Sequence, residues 1–570
     1  MEDDSSKYAL QPILSVAEIC AQRGVQRAVI SPGSRSAPLT LAFTRHPHIR
    51  SYLVPDERAA AFIALGMAQA SGQATALICT SGSAAYNYAP AIAEAYFEHV
   101  PLLVLTADRP PEWIDQRDGQ TIRQQNIYGQ HSKGSWALPV SYEHPDARWH
   151  IQQLTNTAIT TATDAPAGPV HLNVPFREPF YPEENQQFWS EQAPRVVQLT
   201  SGTRQLDPLV WSDLRRTWSR SPLKLIVAGQ GVRETIPFPP HIPVLADVIS
   251  NQYGHPQSVH HQDLLLKRVL HPARFQPDLL LTFGRSIISK SVKQFLRKYR
   301  PEHHWHIQEC GQVADTFQSL TRVLRTSPQA FFAALQEKGF EPPEAAYQYL
   351  WQHTDECVRD NLKHFFEDEK ASFSEFEAIY RLMQQLPEDS VLHLANSMPV
   401  RYANFINLAR RPDISTFANR GTSGIDGSTS TAVGHALMQE GRLHVLLTGD
   451  MAFFYDRNAL WHEHMPPNLR IVLLNNQGGG IFRMIPGPTE QPELSPFFTT
   501  PHTLSAKRTA KDFGLDYRQA NGRKTLQKAL ADFWEPGDRP QLLEIGTEQE
   551  QNTKVLNQFR QIIAEILQQR

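Results

Sequence analysis

Apolar, β-rich runs alternate with small-residue stretches of helical spacing along nearly the whole chain, and few architectures accept that pattern. In the first third RAVI (27–30), ATALICT (74–80) and PLLVLTAD (101–108) are separated by Ala-rich segments, and the series closes at GPVHLNVP (168–175). The middle third carries KLIVAGQG (224–231), PVLAD (243–247), PDLLLTFG (277–284) and HWHIQ (304–308). The last third carries SVLHLAN (390–396), LHVLLTGD (443–450), LRIVLLNN (469–476) and QLLEIGT (541–547). Strands this uniformly apolar are buried on both faces, which is the condition of a parallel sheet wrapped by helices. At 570 residues the chain exceeds what one core holds. The prediction is α/β: three doubly wound parallel-sheet domains over 1–180, 201–367 and 368–570. Residues 181–200, in a polar, Pro-containing and aperiodic stretch, read as a linker. A charged helical stretch from about Ser327 to Glu367 leads into the last domain. The first and third domains share a strand, a Gly/Ser turn and a small-residue helix, TSGSAAYNYAPAIAEAY from Thr80 and TSGIDGSTSTAVGHAL from Thr422, as an old duplication would leave.

Composition narrows the function classes. A net charge of −3 gives no global field for nucleic acid or an anionic membrane surface. The start, MEDDSSKYAL, is acidic where a signal peptide is basic and then apolar, and no run approaches the ~20 apolar residues of a membrane helix. Cys20, Cys79, Cys310 and Cys357 have neither metal-ligand spacing nor a disulfide framework. A cytoplasmic protein is expected.

Two places carry candidate chemistry. Asp56 and Glu57 stand between a short strand and the run AAAFIALGMAQA, whose Ala59, Ala60, Ala61, Ala64, Gly66, Ala68 and Ala70 suit close helix packing. Acids there commonly cap a helix. A carboxylate at the mouth of so apolar an element is also expected to be partly desolvated, which raises its pKa and suits it to handling a proton. In the last third, Gly449 and Asp450 end one buried strand and Asn476 ends the next, so both side chains should project into the crevice beyond the strands' carboxyl ends. A carboxylate, an amide oxygen and a loop carbonyl are hard ligands suited to Mg²⁺, while glycines 478 to 480 and a helix beginning after them would serve phosphate oxygens. Taken singly, Gly-Asp is also a helix cap and Asn-Asn-Gln-Gly a turn.

The Gly-Asp and Asn pair at this spacing resembles the diphosphate and metal motif of thiamine-diphosphate enzymes. SPGSRSAPLTLA (31–42), TADRPPE (106–112), NSMPVRYAN (396–404) and NRGTSGIDGSTSTA (419–432) resemble, within that group, the 2-succinyl-5-enolpyruvyl-6-hydroxy-3-cyclohexene-1-carboxylate (SEPHCHC) synthase family, and the likeness covers the whole chain. It implies pyrimidine-binding, central and diphosphate-binding domains, and thiamine diphosphate with Mg²⁺ or Mn²⁺ on Asp450, Asn476 and the Gly478 carbonyl. Gly424, Ile425, Gly449, Met451, Gly479 and Ile481 would contact the cofactor, with Ile425 beneath its bend and Glu57 on N1′ of its aminopyrimidine. The implied reaction is that of a transferase: decarboxylation of 2-oxoglutarate and conjugate addition of the succinyl carbanion equivalent to isochorismate, in menaquinone or phylloquinone biosynthesis. Ser34, Arg35, Gln120, Ser397 and Arg401 would join Glu57 in catalysis, and Arg109, Lys290, Arg420 and Phe482 would bind substrate. Guanidinium groups suit carboxylates through paired hydrogen bonds. Each arginine has a plainer reading: Arg35 on a turn carbonyl, Arg109 paired with Asp108, Arg401 on a solvated helix face. The family places its active sites between subunits, so a homodimer or homotetramer is implied.

The chain departs from the family at Ser291, where an arginine is usual after the lysine, and at Gly119, where an asparagine is usual. Three other readings compete. A simple 2-oxoacid decarboxylase would carry adjacent histidines in the first domain, but His46, His48, His99, His131, His144 and His150 include no such pair; the pairs 260/261 and 303/304 lie in the middle domain, with surface positions expected. A relative of acetohydroxyacid synthase would bind FAD. A non-catalytic protein of the same fold would have little use for Glu57, Asp450 and Asn476.

Overall fold

The computed structural model describes residues 8–184, 186–190, 192–202, 204–367, 371–409 and 411–569. Three six-stranded sheets, parallel throughout, follow one another along the chain. The first is β1 (Arg27–Ile30), β2 (Arg50–Leu53), β3 (Thr75–Cys79), β4 (Leu102–Asp108), β5 (Ser135–Ala137) and β6 (Val170–Pro175), in the order β2-β1-β3-β4-β6-β5. The second is β7 (Lys224–Ala228), β8 (Val244–Ala246), β9 (Ser258–Val259), β10 (Leu279–Phe283), β11 (His303–Ile307) and β12 (Arg322–Leu324), in the order β12-β11-β10-β7-β8-β9. The third is β13 (Val391–Leu394), β14 (Ser415–Phe417), β15 (His444–Gly449), β16 (Leu469–Asn475), β17 (Asp516–Ala520) and β18 (Gln541–Gly546), in the order β14-β13-β15-β16-β18-β17.

Counted within each sheet, the first and third have one strand order, 2-1-3-4-6-5, and the middle one has another, 3-2-1-4-5-6. This agrees with the turn-and-helix pattern shared at Thr80 and Thr422. Order also locates crevices. Where neighbouring strands send their connections to opposite faces, the loops beyond their carboxyl ends part and leave room for a ligand. In the first sheet that point lies between β1 and β3; in the third it lies between β13 and β15.

The first and third domains meet through two helices, Glu57–Ser71 and Ser428–Met438, which cross at glycines. A Cβ on Gly66 would stand 2.2 Å from the Thr431 carbonyl oxygen, and one on Gly434 would stand 2.1 Å from that of Ile63. Backbone therefore rests on backbone, and one apolar cluster runs through Ala60, Ile63, Ala64 and Met67 to Ala432, Val433 and Ala436. The segment after β6 folds back on the first domain: Asn156 accepts the Val197 N–H at 2.8 Å, and Gln11 donates to the Gln187 carbonyl at 2.6 Å.

Of the middle-domain histidine pairs, His261 and His304 are buried, whereas His303 stays a third exposed beside the exposed Glu302. His260 and His261 both clamp the buried Asp355, donating their backbone N–H groups to Oδ1 at 3.0 and 2.7 Å, and so tie β9 to the helix Ala346–Glu367. His304 is buried in β11 against the Thr282 hydroxyl at 2.9 Å. The pair at 260 and 261, and His304, are drawn inward because each supplies polar partners that the sheet and its covering elements need. No helix among the described residues is long and apolar enough to cross a membrane.

Candidate active site

The crevice of the first sheet gathers the residues predicted there. Ser34 and Arg35 follow β1, Arg109 follows β4, and Gln120 lies on the loop beyond it, against the backbone of Gly82 after β3. Arg109 does not pair with the Asp108 carboxylate through its side chain. It donates to Asp118 Oδ2 at 2.9 Å, to Ser81 Oγ at 2.9 Å and to the Gly119 carbonyl at 2.6 Å, while its backbone N–H takes Asp108 Oδ1. Arg35 bonds the Phe176 carbonyl at 3.2 Å and stacks over the Phe180 ring, and its buried Nε has no partner. Burial, and then the charge of Arg109 beside it, pull the Arg35 pKa down, opposed by the Glu178 carboxylate 4.0 Å from Nη2.

Glu57 opens its helix half-buried. Its neighbour Asp56 caps the helix through the Ala59 N–H at 3.0 Å and holds Asn458 at 2.7 Å with its other oxygen, so the capping duty falls on Asp56 and leaves the Glu57 carboxylate for another partner. Asn87 donates to Glu57 Oε2 at 3.3 Å. Arg58 reaches the Tyr455 carbonyl at 2.7 Å, so this helix start is braced against the third domain of the same chain.

The crevice of the third sheet is the more buried. Asp450, 2% exposed, opens the helix Asp450–Tyr455 directly after β15; Oδ1 accepts the Met451 N–H at 2.7 Å and Oδ2 the Gly478 N–H at 3.0 Å. Burial raises its pKa, and His502 Nε2 lies 3.5 Å from Oδ2. Asn476 follows directly after β16, with its Nδ2 donating to Glu375 Oε1 at 2.6 Å and its Oδ1 buried without a partner. Burial, aided by the nearby Asp450 charge and opposed by the bond from Asn476, lifts the Glu375 carboxyl to about 7. A desolvated carboxylate, Asp450, and a stranded amide oxygen, Asn476 Oδ1, fit a hard divalent cation, which would supply the missing charge and partner. The Gly478 carbonyl accepts the Gly480 N–H at 3.0 Å and keeps a second lone pair. Gly478 has φ +152, and a Cβ there would stand 2.4 Å from the Thr499 carbonyl oxygen, so no other residue fits this turn. The predicted helix after these glycines is a single 3₁₀ turn, Gly480–Arg483, carrying Ile481 and Phe482, because Gly479 is pinned to the Thr499 carbonyl at 2.7 Å and the chain turns away to pack Phe482 on Phe498.

Ser397, Arg401 and Arg420 line the same crevice. Arg401 is half-buried on the helix Met398–Ile406 and donates to the Ser397 carbonyl at 2.5 Å; it is not on a solvated face. Arg420 donates to Asn396 Oδ1 at 2.6 Å, its Nε is buried without a partner, and burial lowers its pKa. Asn396 in turn ties the loop together by donating to the carbonyls of Asn419 and Gly424, both at 2.7 Å, which sets Ile425, half-buried in the following turn. Glu94 of the first domain holds the same loop through the N–H groups of Gly421 and Thr422 at 2.8 and 2.6 Å. Gly449, at the mouth, would place a Cβ 3.9 Å from Pro399. Lys290 stands apart, exposed at the start of the helix Lys290–Lys298. Ser291 beside it is buried and donates to the Asp263 carbonyl at 3.3 Å, so this side chain faces the middle-domain core.

Left-handed backbone recurs on these loops at Gln120 (φ 56), Ser397 (74), Ser423 (61) and Gln477 (64). Non-glycine residues in that region cost of order 1–3 kcal/mol each and gather where a site dictates the backbone. Among the described residues, no hydrogen bond or ion pair joins the Ser34, Arg35, Arg109 and Gln120 group to the Ser397, Arg401, Arg420, Asp450 and Asn476 group. Residue reasoning had missed Glu375, Ser81, Asn87 and Asn458; only Ser81 and Asn87 carried a signal, in the shared TSG turn.

Family comparisons agree with this geometry. Residues 15–128 match the thiamine pyrophosphate enzyme N-terminal TPP-binding domain, and residues 242–394 match the middle domain of thiamine pyrophosphate enzymes. The SEPHCHC synthase of Cytophaga hutchinsonii is 43% identical over 97% of this chain and 99% of its own length. That of Flavobacterium johnsoniae is 38% identical over 96% and 97%, and that of Porphyromonas gingivalis 35% over 98% and 97%. A fold of three parallel sheets, crevices at two matching switch points and relatives that align from end to end place this chain in the SEPHCHC synthase family of thiamine pyrophosphate enzymes.

Proposed function

We propose that this chain decarboxylates 2-oxoglutarate and transfers the succinyl unit to isochorismate by conjugate addition, giving SEPHCHC and CO₂ in menaquinone or phylloquinone biosynthesis. The reading places it in the cytoplasm as a homo-oligomer whose sites lie between subunits. Residues 1–180, 201–367 and 368–570 are then its pyrimidine-binding, central and diphosphate-binding domains. Thiamine diphosphate, when bound, supplies the carbon acid and electron sink for breaking the bond to CO₂.

The chain's own residues do the rest. Asp450, Asn476 and the Gly478 carbonyl would hold Mg²⁺ or Mn²⁺. Gly424, Gly449, Met451, Gly479 and Ile481 line the crevice in which the cofactor would lie, and Ile425 would support it. Glu57, free of capping duty, would hold and return a proton at aminopyrimidine N1′. Arg35 and Arg420 each keep a buried N–H without a partner, and with Arg109 and Arg401 they offer the substrates' several carboxylates charge-assisted bonds, which are the strong kind. Ser34, Gln120, Ser397 and Phe482 would complete the walls and exclude water, and Lys290 would attract anionic substrate from the rim.

The observation that carries this reading is the third-sheet crevice, where a buried carboxylate and a buried, unpartnered amide oxygen directly follow the adjacent strands β15 and β16. The test is incubation with thiamine diphosphate, Mg²⁺, 2-oxoglutarate and isochorismate, following isochorismate absorbance and CO₂. Loss of absorbance that requires 2-oxoglutarate is expected. Equally fast CO₂ release with isochorismate omitted would indicate a plain decarboxylase.

A further inference from the structure

An amide side chain has one face that accepts and one that donates, and only the accepting face binds a cation. Building on the metal reading above, we propose that Glu375 is the positioning residue that turns the Asn476 oxygen toward the metal. Glu375 is 1% exposed at the start of the helix Glu375–Gln384 and accepts the Asn476 amide N–H at 2.6 Å. A carboxylate oxygen takes the nitrogen side of the amide, so Oδ1 is left facing away, and it is the Asn476 atom found buried without a partner.

The acid is itself held. Its backbone N–H donates to Asn552 Oδ1 at 2.9 Å, Thr547 hydrogen-bonds its carboxylate, and Asn552 Nδ2 donates to the Thr547 hydroxyl at 3.0 Å. Gln549, from the same C-terminal helix Gln549–Gln568, donates to the Asn476 carbonyl at 3.2 Å. Asn476 is thus gripped at side chain and backbone by elements that lie outside the crevice, while Glu375 itself offers the metal nothing directly. Partners that orient a metal ligand in this way are commonly worth 10- to 100-fold in metal affinity.

The test is calorimetric titration of Mg²⁺ into the full-length protein at saturating thiamine diphosphate, for the wild type, Glu375→Gln and Glu375→Ala. Glutamine keeps an acceptor for Asn476 and can face Thr547 with its amide, so affinity close to wild type is expected. Alanine leaves the Asn476 amide free to rotate, and affinity about 10- to 100-fold weaker is expected. Glu375→Met fills the volume without an acceptor and stands in for alanine if circular dichroism shows that variant unfolded. Wild-type affinity in the alanine or methionine variant would overturn the proposal. A loss in Glu375→Gln as large as in alanine would overturn it too, since charge and not orientation would then be at work. A wild type that binds no Mg²⁺ with the cofactor would remove the metal reading itself and this inference with it.

Discussion

Asn475 and Asn476 are adjacent and identical, yet the fold treats them differently. Asn475 donates to the Leu504 carbonyl at 2.9 Å and to Glu544 at 2.6 Å and accepts the Gln477 N–H, so every face of it is engaged within the domain. Asn476, one residue past the end of β16, has its amide nitrogen on Glu375 and its oxygen without a partner. Residue chemistry alone could not choose between them; the partners the fold brings to each do. Glu57 poses the matching question in the first domain, where Asp56 performs the capping for which either acid would serve. Glu57→Gln keeps the size and the bond from Asn87 while removing the proton acceptor. CO₂ release should fall by about 10²- to 10⁴-fold, the usual worth of a positioned acid or base, while calorimetry still detects thiamine diphosphate binding; near-normal turnover would remove Glu57 from the mechanism. Residues at strand ends were legible because the crevice rule needs only the strand. Glu375 was not, since it meets Asn476 across 101 positions and begins a helix like any other buried acid.

Among elements, legibility followed burial. Every interior strand was visible as an apolar run: β3, β4 and β10 are buried at each position. The strands that composition did not reveal, β5, β9, β12, β14 and β17, all lie at sheet edges. Most of these edge strands are partly exposed and carry sequences such as DYRQA and RVL, which have no period to read, while the buried β9 is only two residues long. The remaining edge, β2, was found only because it precedes Glu57. The helix crossing was legible as a run of small residues, but its partner was not, because which two small-residue helices meet is decided by sheet geometry. Gly434→Ala would push a methyl group to 2.1 Å from the Ile63 carbonyl oxygen, which no side-chain rotation relieves. Destabilisation of about 1–3 kcal/mol is expected, as for other overpacked sites. Thermal or urea midpoints would read it against Gly441→Ala, whose added methyl meets nothing within 4 Å. Equal midpoints for the two variants would mean the helices can part, and the angle between the Glu57 helix and the Ile425 loop would then not be set by this contact.

At the scale of the molecule, no hydrogen bond or ion pair among the described residues joins the candidate residues of one crevice to those of the other within one chain, although the helices that carry them are packed together. Intrachain contact between the two domains runs through Asp56 to Asn458, Arg58 to Tyr455, the glycine crossing, and Glu94 on the loop at Gly421 and Thr422. The front around Glu57 is bordered by exposed Leu53, Tyr86, Tyr455 and Trp461, apolar surface of the sort a symmetric partner covers. With two-fold symmetry, Glu57 of each subunit would complete the metal crevice of the other. Complementation separates this from a site contained in one chain. Let Glu57→Gln and Asp450→Asn chains, each inactive alone, be co-expressed with different tags and the mixed dimers purified. In a mixed dimer with shared sites, one site carries both defects and the other carries neither, so an unsorted random population should recover about a quarter of wild-type activity and the purified mixed dimer about half. If each site were built from a single chain, every site in the mixed dimer would hold one defect and activity would stay at the level of the parents.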